Sequence, residues 1–294
     1  MGLLEILILV LSFFIFLAIG VPVAWSLGIS SLLTVMVGME TLTAFTTMGQ
    51  KFLTSLDSFT LLAIPFFILA GQLMNKGGVA TRLISFAKNV VGSLPGGLAH
   101  INVVAAMLFG AIAGSSVAAA SAIGSILGPR MEKEGYTREF GAAINISSST
   151  VGLVIPPSNI LIVYSLASGG TSIAALFIAG YIPGILTGLV LMGIAAVWAM
   201  RNNFPVAERS SLTDVFQSFV KALPSLFLLV VVIGGIVAGI FTATEAAAIA
   251  VIYTLGLAFL YKEISLKDIP DILMDAIQTT SIVMLLIATS IGLS

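Results

Sequence analysis

Long apolar runs separated by short polar segments make up most of the chain. A membrane-spanning helix needs roughly 20 consecutive apolar residues, and most of these runs approach that length. They are continuous instead of alternating in segments of about ten residues, which favours helices over a membrane barrel. We therefore predict an all-α polytopic membrane protein, with spans at 3–20, 22–39, 59–75, 139–168, 172–200, 223–241, 244–261 and 276–294.

Four polar segments are predicted to connect these spans, at 40–58, 76–97, 201–222 and 262–275. Within the second segment, 79–91 has the pattern of an amphipathic surface helix. The third is the longest, and we interpret it as a cytoplasmic loop that divides the chain into two halves. The first run, 3–20, has neither a charged leader nor a small-residue cleavage site, so we interpret it as a span and not as a signal peptide.

The segment 101–129 is too long for one plain span. As a single helix it would be about 43 Å long, against a hydrocarbon core of about 30 Å. Within 109–125, thirteen of seventeen residues are Gly, Ala or Ser, which allows a sharp turn or close helix packing. The segment is either a re-entrant hairpin or one long span.

The positive-inside rule distinguishes these two alternatives. With a hairpin, eleven of the twelve basic residues fall on one side and only Lys51 falls on the other. With a single span, the better orientation divides them nine to three. The hairpin is favoured, and it places the N-terminus in the periplasm. The eleven are Lys76, Arg82, Lys88, Arg130, Lys133, Arg138, Arg201, Arg209, Lys221, Lys262 and Lys267.

The next span is interrupted by Pro156 and Pro157, which lack the N–H groups needed for two helical hydrogen bonds. Broken helices are tolerated at membrane depth where their free backbone groups line a cavity or meet another helix. Two adjacent breaks therefore indicate a buried site for an ion or a substrate. The simpler alternatives are small-residue packing in the hairpin and an ordinary proline kink in the span.

We predict that Na⁺ binds where the two breaks lie, because a hard cation prefers oxygen ligands. The predicted Na⁺ ligands are Gly114, Ser115, Ser116, Pro156, Ser158 and Asn159. The N-terminal dipole of the second half-helix would favour an anionic substrate. Upstream, Asn145, Ser148 and Ser149 share one helix face, and we predict that this face binds the substrate.

Composition narrows the remaining function classes. The chain is 59% hydrophobic and 9% charged, with mean hydropathy +1.16 and no cysteine, which excludes thiolate metal sites. His100 is the single histidine and lies about 22 Å of helix from Ser115, so an intramembrane hydrolase is disfavoured and no catalytic residue is assigned.

Glu245 is expected to cap a helix with Thr242 or Thr244. A channel would need a continuous polar stripe, whereas the polar residues cluster at the breaks.

Four motifs together resemble the large membrane subunit of TRAP (tripartite ATP-independent periplasmic) transporters, in order and in spacing. They are LLAIPFFILAGQLMNKGG (61–78), GAIAGSSVAAASAIGSILGP (110–129), LVIPPSNILIVYS (153–165) and GIFTATEAAAIAVIY (239–253). One departure is Ala243, where the family more often has proline. The resemblance implies an elevator-type transporter with inverted repeats in the bacterial inner membrane, each repeat contributing one hairpin and one broken helix.

That resemblance also implies an organisation and partners. Residues 1–100 would hold the N-terminal spans, the scaffold and the start of the transport domain. Residues 101–200 would hold the hairpin, the broken helix and the following span of the first repeat. Residues 223–294 would start a second repeat that is incomplete here, so we expect this chain alone not to transport. The implied partners are a small membrane subunit and a periplasmic substrate-binding protein.

The function implied is Na⁺-coupled uptake of an organic acid, either a C4-dicarboxylate or sialic acid. Another Na⁺-coupled carboxylate carrier of the same superfamily, working without a binding protein, is the alternative. The sequence does not distinguish between these substrates.

The hairpin makes a topological prediction, because it places residues 76–88 and 130–138 on the same side. In this cysteine-free chain, cysteines introduced at Lys88 and Lys133 should both react with an impermeant thiol reagent from the cytoplasmic face only. Reaction from opposite faces would make 101–129 a single span.

Overall fold

The computed structural model describes residues 2–202, 204 and 210–292, and the description below applies to these residues. They form thirteen α-helices and no strand. The helices are α1 (Leu3–Ala18), α2 (Val23–Gly38), α3 (Thr41–Leu56), α4 (Ala63–Lys76), α5 (Val79–Val91), α6 (Gly97–Ala113), α7 (Ser116–Lys133), α8 (Arg138–Val151), α9 (Asn159–Ala167), α10 (Ile173–Arg201), α11 (Leu212–Val237), α12 (Ala243–Leu260) and α13 (Ile269–Gly292).

The first of two compact units comprises Met1–Leu62 and Ile277–Ser294. Within it, α1 packs on α2 and α2 on α3. Four hydroxyl side chains of α2 are buried, and a Cβ on Gly28 would lie 3.0 Å from the Thr289 side chain of α13. Small residues therefore let the end of α13 lie close against α2. The buried hydroxyls are Ser26, Ser30, Ser31 and Thr34.

The second unit comprises Ala63–Ala276, and in it α4 packs along α12. Their shared core is apolar and contains Leu73, Ala258, Ile264 and Ile272. At one end of this pair, Lys76 Nζ lies 3.0 Å from Asp275 Oδ2. The Arg82 guanidinium lies 3.6 Å from the centre of the Tyr261 ring and 3.7 Å from Glu263, so a cation–π contact and an ion pair hold α5 to the end of α12.

The segment 101–129 folds as a helical hairpin, which confirms the predicted turn. Helix α6 ends at Ala113, Gly114 takes a left-handed conformation with φ 60°, and α7 begins at Ser116. A left-handed residue at this position favours glycine, which has no Cβ to clash with the next carbonyl. The return of the chain brings Leu127 of α7 beside Leu98 and Ile101 of α6.

The following helix is broken, as Pro156 and Pro157 predict. Helix α8 ends at Val151 and α9 starts at Asn159, so the interruption covers seven residues and begins before the prolines. The first residues of the break turn back on the helix end, where the N–H groups of Val154 and Ile155 both donate to the Val151 carbonyl. These bonds satisfy part of the helix end before the chain reaches the prolines.

Several predicted connections contain more helix than the pattern indicated. Residues 41–56 form α3, although 40–58 was predicted as a polar connection. The amphipathic helix 79–91 is confirmed as α5, but its apolar face is buried against α6 and α11 and is not at a surface. The loop predicted over 201–222 is shorter because α11 begins at Leu212, and α13 begins at Ile269, inside the predicted loop 262–275. Residues 203 and 205–209 of the loop lie outside the described residues.

Five described stretches are long and apolar enough to cross a membrane: 59–76, 173–201, 212–237, 243–260 and 269–292. Helices α1 and α2 are apolar but have 16 residues each, or about 24 Å. The start of α12 is capped as expected for Glu245. Its carboxylate accepts from the Thr242 N–H at 2.8 Å, and the Thr242 hydroxyl accepts from the Glu245 N–H at 3.3 Å.

Glycines bring the two broken elements into backbone contact. A Cβ on Gly110 of α6 would lie 2.6 Å from the Gly152 Cα, directly after α8. On the other side, Gly180 and Gly184 of α10 lie against the break, and a Cβ on Gly184 would be 2.5 Å from Ile155 Cγ1. The backbone around 152–156 therefore packs against both α6 and α10, although the Val154 side chain is 38% exposed.

This contact predicts that alanine at Gly110 or at Gly152 destabilises the protein by about 1–3 kcal/mol, the usual cost of overpacking. The obstacle is backbone on both sides, so side-chain rearrangement cannot relieve the overlap. Thermal unfolding in detergent measures the effect.

Gly193→Ala in α10 is the matched control, because nothing lies within 4 Å of its added Cβ. Its unfolding temperature should equal or exceed that of the wild type, since alanine favours a helix interior. Equal stability of all three variants would contradict the close backbone contact.

Candidate functional site

The two backbone breaks meet at the tip of the hairpin. A Cβ built on Gly114 would lie 3.2 Å from the Asn159 amide nitrogen Nδ2 and 3.6 Å from the Asn159 backbone nitrogen. The turn between α6 and α7 therefore touches the first residue of α9. On a different side, Gly71 of α4 approaches the tip, where a Cβ would be 2.8 Å from the Ala113 carbonyl oxygen. Four helices thus converge on the turn.

Ser115 begins the second arm of the hairpin. It has an extended backbone, and its hydroxyl accepts a hydrogen bond from the Ala118 N–H at 3.3 Å, which caps α7. A serine N-cap satisfies one of the free amides of the first turn. The hydroxyl keeps a second lone pair that the cap does not use. Ser115 and Ser116 are both half-buried.

Asn159 contributes an amide oxygen that has no hydrogen-bond partner within the described residues, although the atom is buried. A buried polar atom without a partner is costly, typically about 1–3 kcal/mol, so such atoms are uncommon in native proteins. The oxygen belongs to the residue that touches Gly114. Four other buried side-chain atoms of the described residues also have no partner, and Asn159 Oδ1 is the one of the five that lies at the junction of the two breaks.

Two other predicted Na⁺ ligands, Ser158 and Pro156, contact different neighbours. The Ser158 hydroxyl is buried and donates to the Leu153 carbonyl inside the break. Pro156 is buried and packs on α10, where its Cδ would lie 3.5 Å from a Cβ on Gly180. The structure therefore brings Gly114 and Asn159 together directly, while Ser158 and Pro156 shape the break beside them.

The predicted substrate residues belong to a hydrogen-bonded network between α6, α7 and α8. Asn145 Nδ2 donates to the Ala120 carbonyl of α7 at 2.9 Å, and Asn145 Oδ1 accepts from Asn102 Nδ2 of α6 at 3.3 Å. The Ser148 hydroxyl lies 2.7 Å from Asn102 Oδ1, and the Ser149 hydroxyl donates to the Asn145 carbonyl at 2.7 Å. Because every member has a partner, the network holds the three helices in one register.

Asn145 also lines a polar cavity of about 300 Å³ between α7 and α8. Ser148 and Ser149 do not line it, and they are buried at 0% and 1% exposure. Although the three residues share one helix face, only Asn145 is at the cavity wall, whereas Ser148 and Ser149 lie in the buried interior. The remaining polar side chains of the cavity wall are Asn102, Ser121, Ser125, Glu132, Thr137 and Arg138.

Asn102 and Gly124 are site residues that the sequence analysis did not identify. Asn102 is buried at 1% exposure and connects Asn145 to Ser148. A Cβ on Gly124 would overlap the Asn145 amide, so glycine at this position leaves room for that amide. Asn102 could have been identified in the sequence as a lone amide within the apolar segment that starts α6. A buried polar residue at membrane depth is costly unless it is paired.

The junction of the two breaks presents neutral oxygens, whereas the cavity wall also carries the charged side chains Glu132 and Arg138. Among the described residues, no group of three or more His, Cys, Asp or Glu side chains is arranged to hold a metal ion. His100 is buried, and its Nε2 lies 2.9 Å from the Pro95 carbonyl oxygen. Outside the spans, burial raises the pKa of Tyr136 to about 12, and the nearby charge of Glu134 adds to the shift.

Tyr136 closes the loop between the hairpin and α8. Its ring centre lies 4.1 Å from that of Phe204, and Phe140 stacks on Trp198 of α10 with centres 5.3 Å apart. Aromatic pairs of this kind stabilise beyond their area burial. The start of the broken helix is thereby fixed to the end of α10, close to the rim of the polar cavity at Thr137 and Arg138.

The chain is similar in sequence to several known proteins. The chain is 55% identical over 99% of its length to a Salmonella typhimurium protein described as uncharacterized, YgiK, of which it covers 67%. It is 42% identical over 90% of its length to the C4-dicarboxylate TRAP transporter large permease protein of Pseudomonas aeruginosa, covering 62% of that protein. It is 38% identical over 93% of its length to the 2,3-diketo-L-gulonate TRAP transporter large permease protein of Escherichia coli, covering 64%.

The chain thus spans about two thirds of the length of these curated relatives. The family model of the tripartite ATP-independent periplasmic transporter DctM component matches residues 10–293, which include every helix of the site. The hairpin, the broken helix and this match across nearly the whole chain lead to one conclusion: the chain belongs to the DctM component family of tripartite ATP-independent periplasmic transporters.

Proposed function

We propose that this chain is part of a large permease subunit that takes up an organic acid together with Na⁺ across the bacterial inner membrane. The observation that carries the proposal is the buried, unpartnered amide oxygen of Asn159 at the junction of two broken elements. The names of two relatives add support, since C4-dicarboxylates and 2,3-diketo-L-gulonate are both carboxylic acids. A C4-dicarboxylate or a sugar acid such as sialic acid is the proposed substrate.

The Na⁺ site consists of neutral oxygens around the hairpin tip. Asn159 Oδ1 and the hydroxyls of Ser115 and Ser116 are the side-chain ligands, and the backbone at Gly114 and in the break at 156–158 adds carbonyls. A hard monovalent cation in this place would satisfy the Asn159 oxygen without introducing a buried carboxylate. Residues in the second part of the relatives' length complete the site.

The substrate carboxylate binds near Asn145, at the wall of the polar cavity. Here the Asn145 amide and the Thr137 hydroxyl can donate, and Arg138 adds positive charge at the rim. Arg138 is 88% exposed and lies 4.0 Å from Glu132, so this weak ion pair leaves the guanidinium accessible to an anion. Ser148 and Ser149 position Asn145 from behind and do not touch the substrate.

The complete subunit works by an elevator movement of a domain with inverted repeats, and its N-terminus lies in the periplasm. A periplasmic binding protein delivers the acid, and a small membrane subunit completes the assembly. The family and the break geometry support this organisation, because paired breaks near the membrane midplane are the usual basis of such sites. Uptake that is equally fast without a Na⁺ gradient would overturn the proposed coupling.

The Na⁺ site makes a mutational prediction for the complete transporter. Ser115→Ala, Ser116→Ala and Asn159→Leu should each raise the Na⁺ concentration for half-maximal uptake several-fold to tens of fold. A lost contact of this kind costs about 0.5–1.5 kcal/mol, and more beside a charge. Thermal stabilisation by Na⁺ should fall in parallel, because a ligand stabilises in proportion to its binding.

Asn159→Leu separates ligation from packing. Leucine removes a buried oxygen that has no partner among the described residues, so stability in Na⁺-free buffer should not fall below that of the wild type. Ser12→Ala in α1, whose hydroxyl only bonds the Leu9 carbonyl, is the control and should change neither quantity. Normal Na⁺ dependence in all three site variants would show that these side chains are not ligands.

The substrate site makes a second prediction. Asn145→Ala should raise the KM for the organic acid by several-fold or more, with a smaller effect on the Na⁺ dependence, because the amide touches the substrate and not the ion. Ser149→Ala should have a weaker effect on KM, since Ser149 acts only through the Asn145 carbonyl. An unchanged KM in Asn145→Ala, combined with a lower unfolding temperature, would assign Asn145 to helix packing alone.

A further inference from the structure

The six basic residues between positions 76 and 138 divide into two groups of three. Those in the first group have partners: Lys76 pairs with Asp275, Arg82 with Glu263 and Tyr261, and Arg138 with Glu132. The second group is Lys88, Arg130 and Lys133. Within the part of the chain that the structure describes, none of these three has a carboxylate oxygen within 4.0 Å.

The three cations of the second group lie around a single cavity. It has a volume of about 210 Å³ and is formed by α5, α6 and α7, where α7 ends and α6 begins. Lys88, Arg130 and Lys133 are exposed at its rim together with one acid, Glu134. The rim therefore carries a formal charge of about +2. The C-terminal dipole of α7 favours Arg130 and Lys133 but does not reach Lys88, which belongs to another helix.

The floor of this cavity is apolar. It is formed by Ile84 of α5, Leu98 and Ile101 of α6 and Leu127 of α7, all of them at most 9% exposed. A cationic rim above an apolar floor complements an amphiphile that has an anionic headgroup and an apolar tail. A free inorganic anion would use the rim and leave the floor without a ligand.

We propose that this cavity binds the headgroup of an anionic phospholipid, with the phosphate on Lys88, Arg130 and Lys133 and the glycerol end of the acyl chains over the apolar floor. Basic pockets between membrane helices recognise such headgroups, and each basic residue near the surface adds measurably to the attraction. The site joins the amphipathic α5 to both arms of the hairpin. A bound lipid thus connects these elements at the end away from the tip. The proposal does not depend on the transported substrate or on Na⁺.

The test uses the full-length polypeptide in detergent, titrated with dioleoyl phosphatidylglycerol and followed by native mass spectrometry. The triple variant K88Q/R130Q/K133Q should weaken binding of the first phosphatidylglycerol by about a hundredfold, the product of a fivefold loss at each position. The matched control K221Q/K262Q/K267Q removes the same charge from exposed positions outside the cavity and should change binding by less than about twofold. If the triple variant unfolds, the single variants K88Q and R130Q replace it, each with an expected loss of about fivefold.

A second measurement separates a lipid from its headgroup. The unfolding temperature of the wild type should rise with phosphatidylglycerol, but not with phosphatidylcholine, millimolar inorganic phosphate or soluble glycerophosphoglycerol. Equal stabilisation by phosphate or glycerophosphoglycerol would make the cavity a site for free anions and overturn the proposal. Equal weakening in the cavity and control variants, or no weakening in either, would also overturn it, because the attraction would then not come from this cavity.

Discussion

A backbone that leaves the helical conformation inside a bilayer must find its partners within the protein, because lipid offers none. This constraint explains the arrangement of the second unit. The turn at Gly114 rests on the start of α9, and the break after Val151 packs against α6 and α10. Three glycines allow these close approaches, since a Cβ at Gly71, Gly110 or Gly152 would lie only 2.6–2.8 Å from a backbone atom. The hairpin turn and the helix break thus form one structural feature, to which two separate segments of the chain contribute.

The same constraint produces the chemistry of the site. Ends of helices meet there, so neutral carbonyl, hydroxyl and amide oxygens are concentrated without a buried carboxylate. Nearly all of these groups have protein partners, as in the network of Asn102, Asn145 and Ser148. The exception in the described part of the junction is Asn159 Oδ1. At the junction, Asn159 Oδ1 is therefore the buried oxygen that a bound group could satisfy, whereas the groups of the network already satisfy one another.

Charge is arranged separately from this junction. Ion pairs and a cation–π contact connect α4 and α5 to α12 and α13, whereas Lys88, Arg130 and Lys133 surround an apolar floor without a carboxylate partner among the described residues. Exposed ion pairs contribute little to stability, so the paired residues chiefly set the registration of helix ends. The unpaired residues lie where the hairpin arms begin and end. The hairpin is therefore held at its tip by backbone contacts, and its open end presents a cationic surface.

The sequence by itself determined the all-helical class, the two breaks and a cap at the start of α12, because helix length, missing N–H groups and capping residues are local properties, and the structure selected Thr242 over Thr244 as the cap. It did not predict that 41–56 is helical or that α11 begins at Leu212, since both stretches are polar enough to be taken for connections between spans. Tertiary structure alone decided that Gly114 meets Asn159 while Pro156 faces α10, and that Ser148 and Ser149 are buried behind Asn145. Residues on one helix face share a direction, but their neighbours depend on how closely another helix approaches, and glycines elsewhere in the chain set that distance.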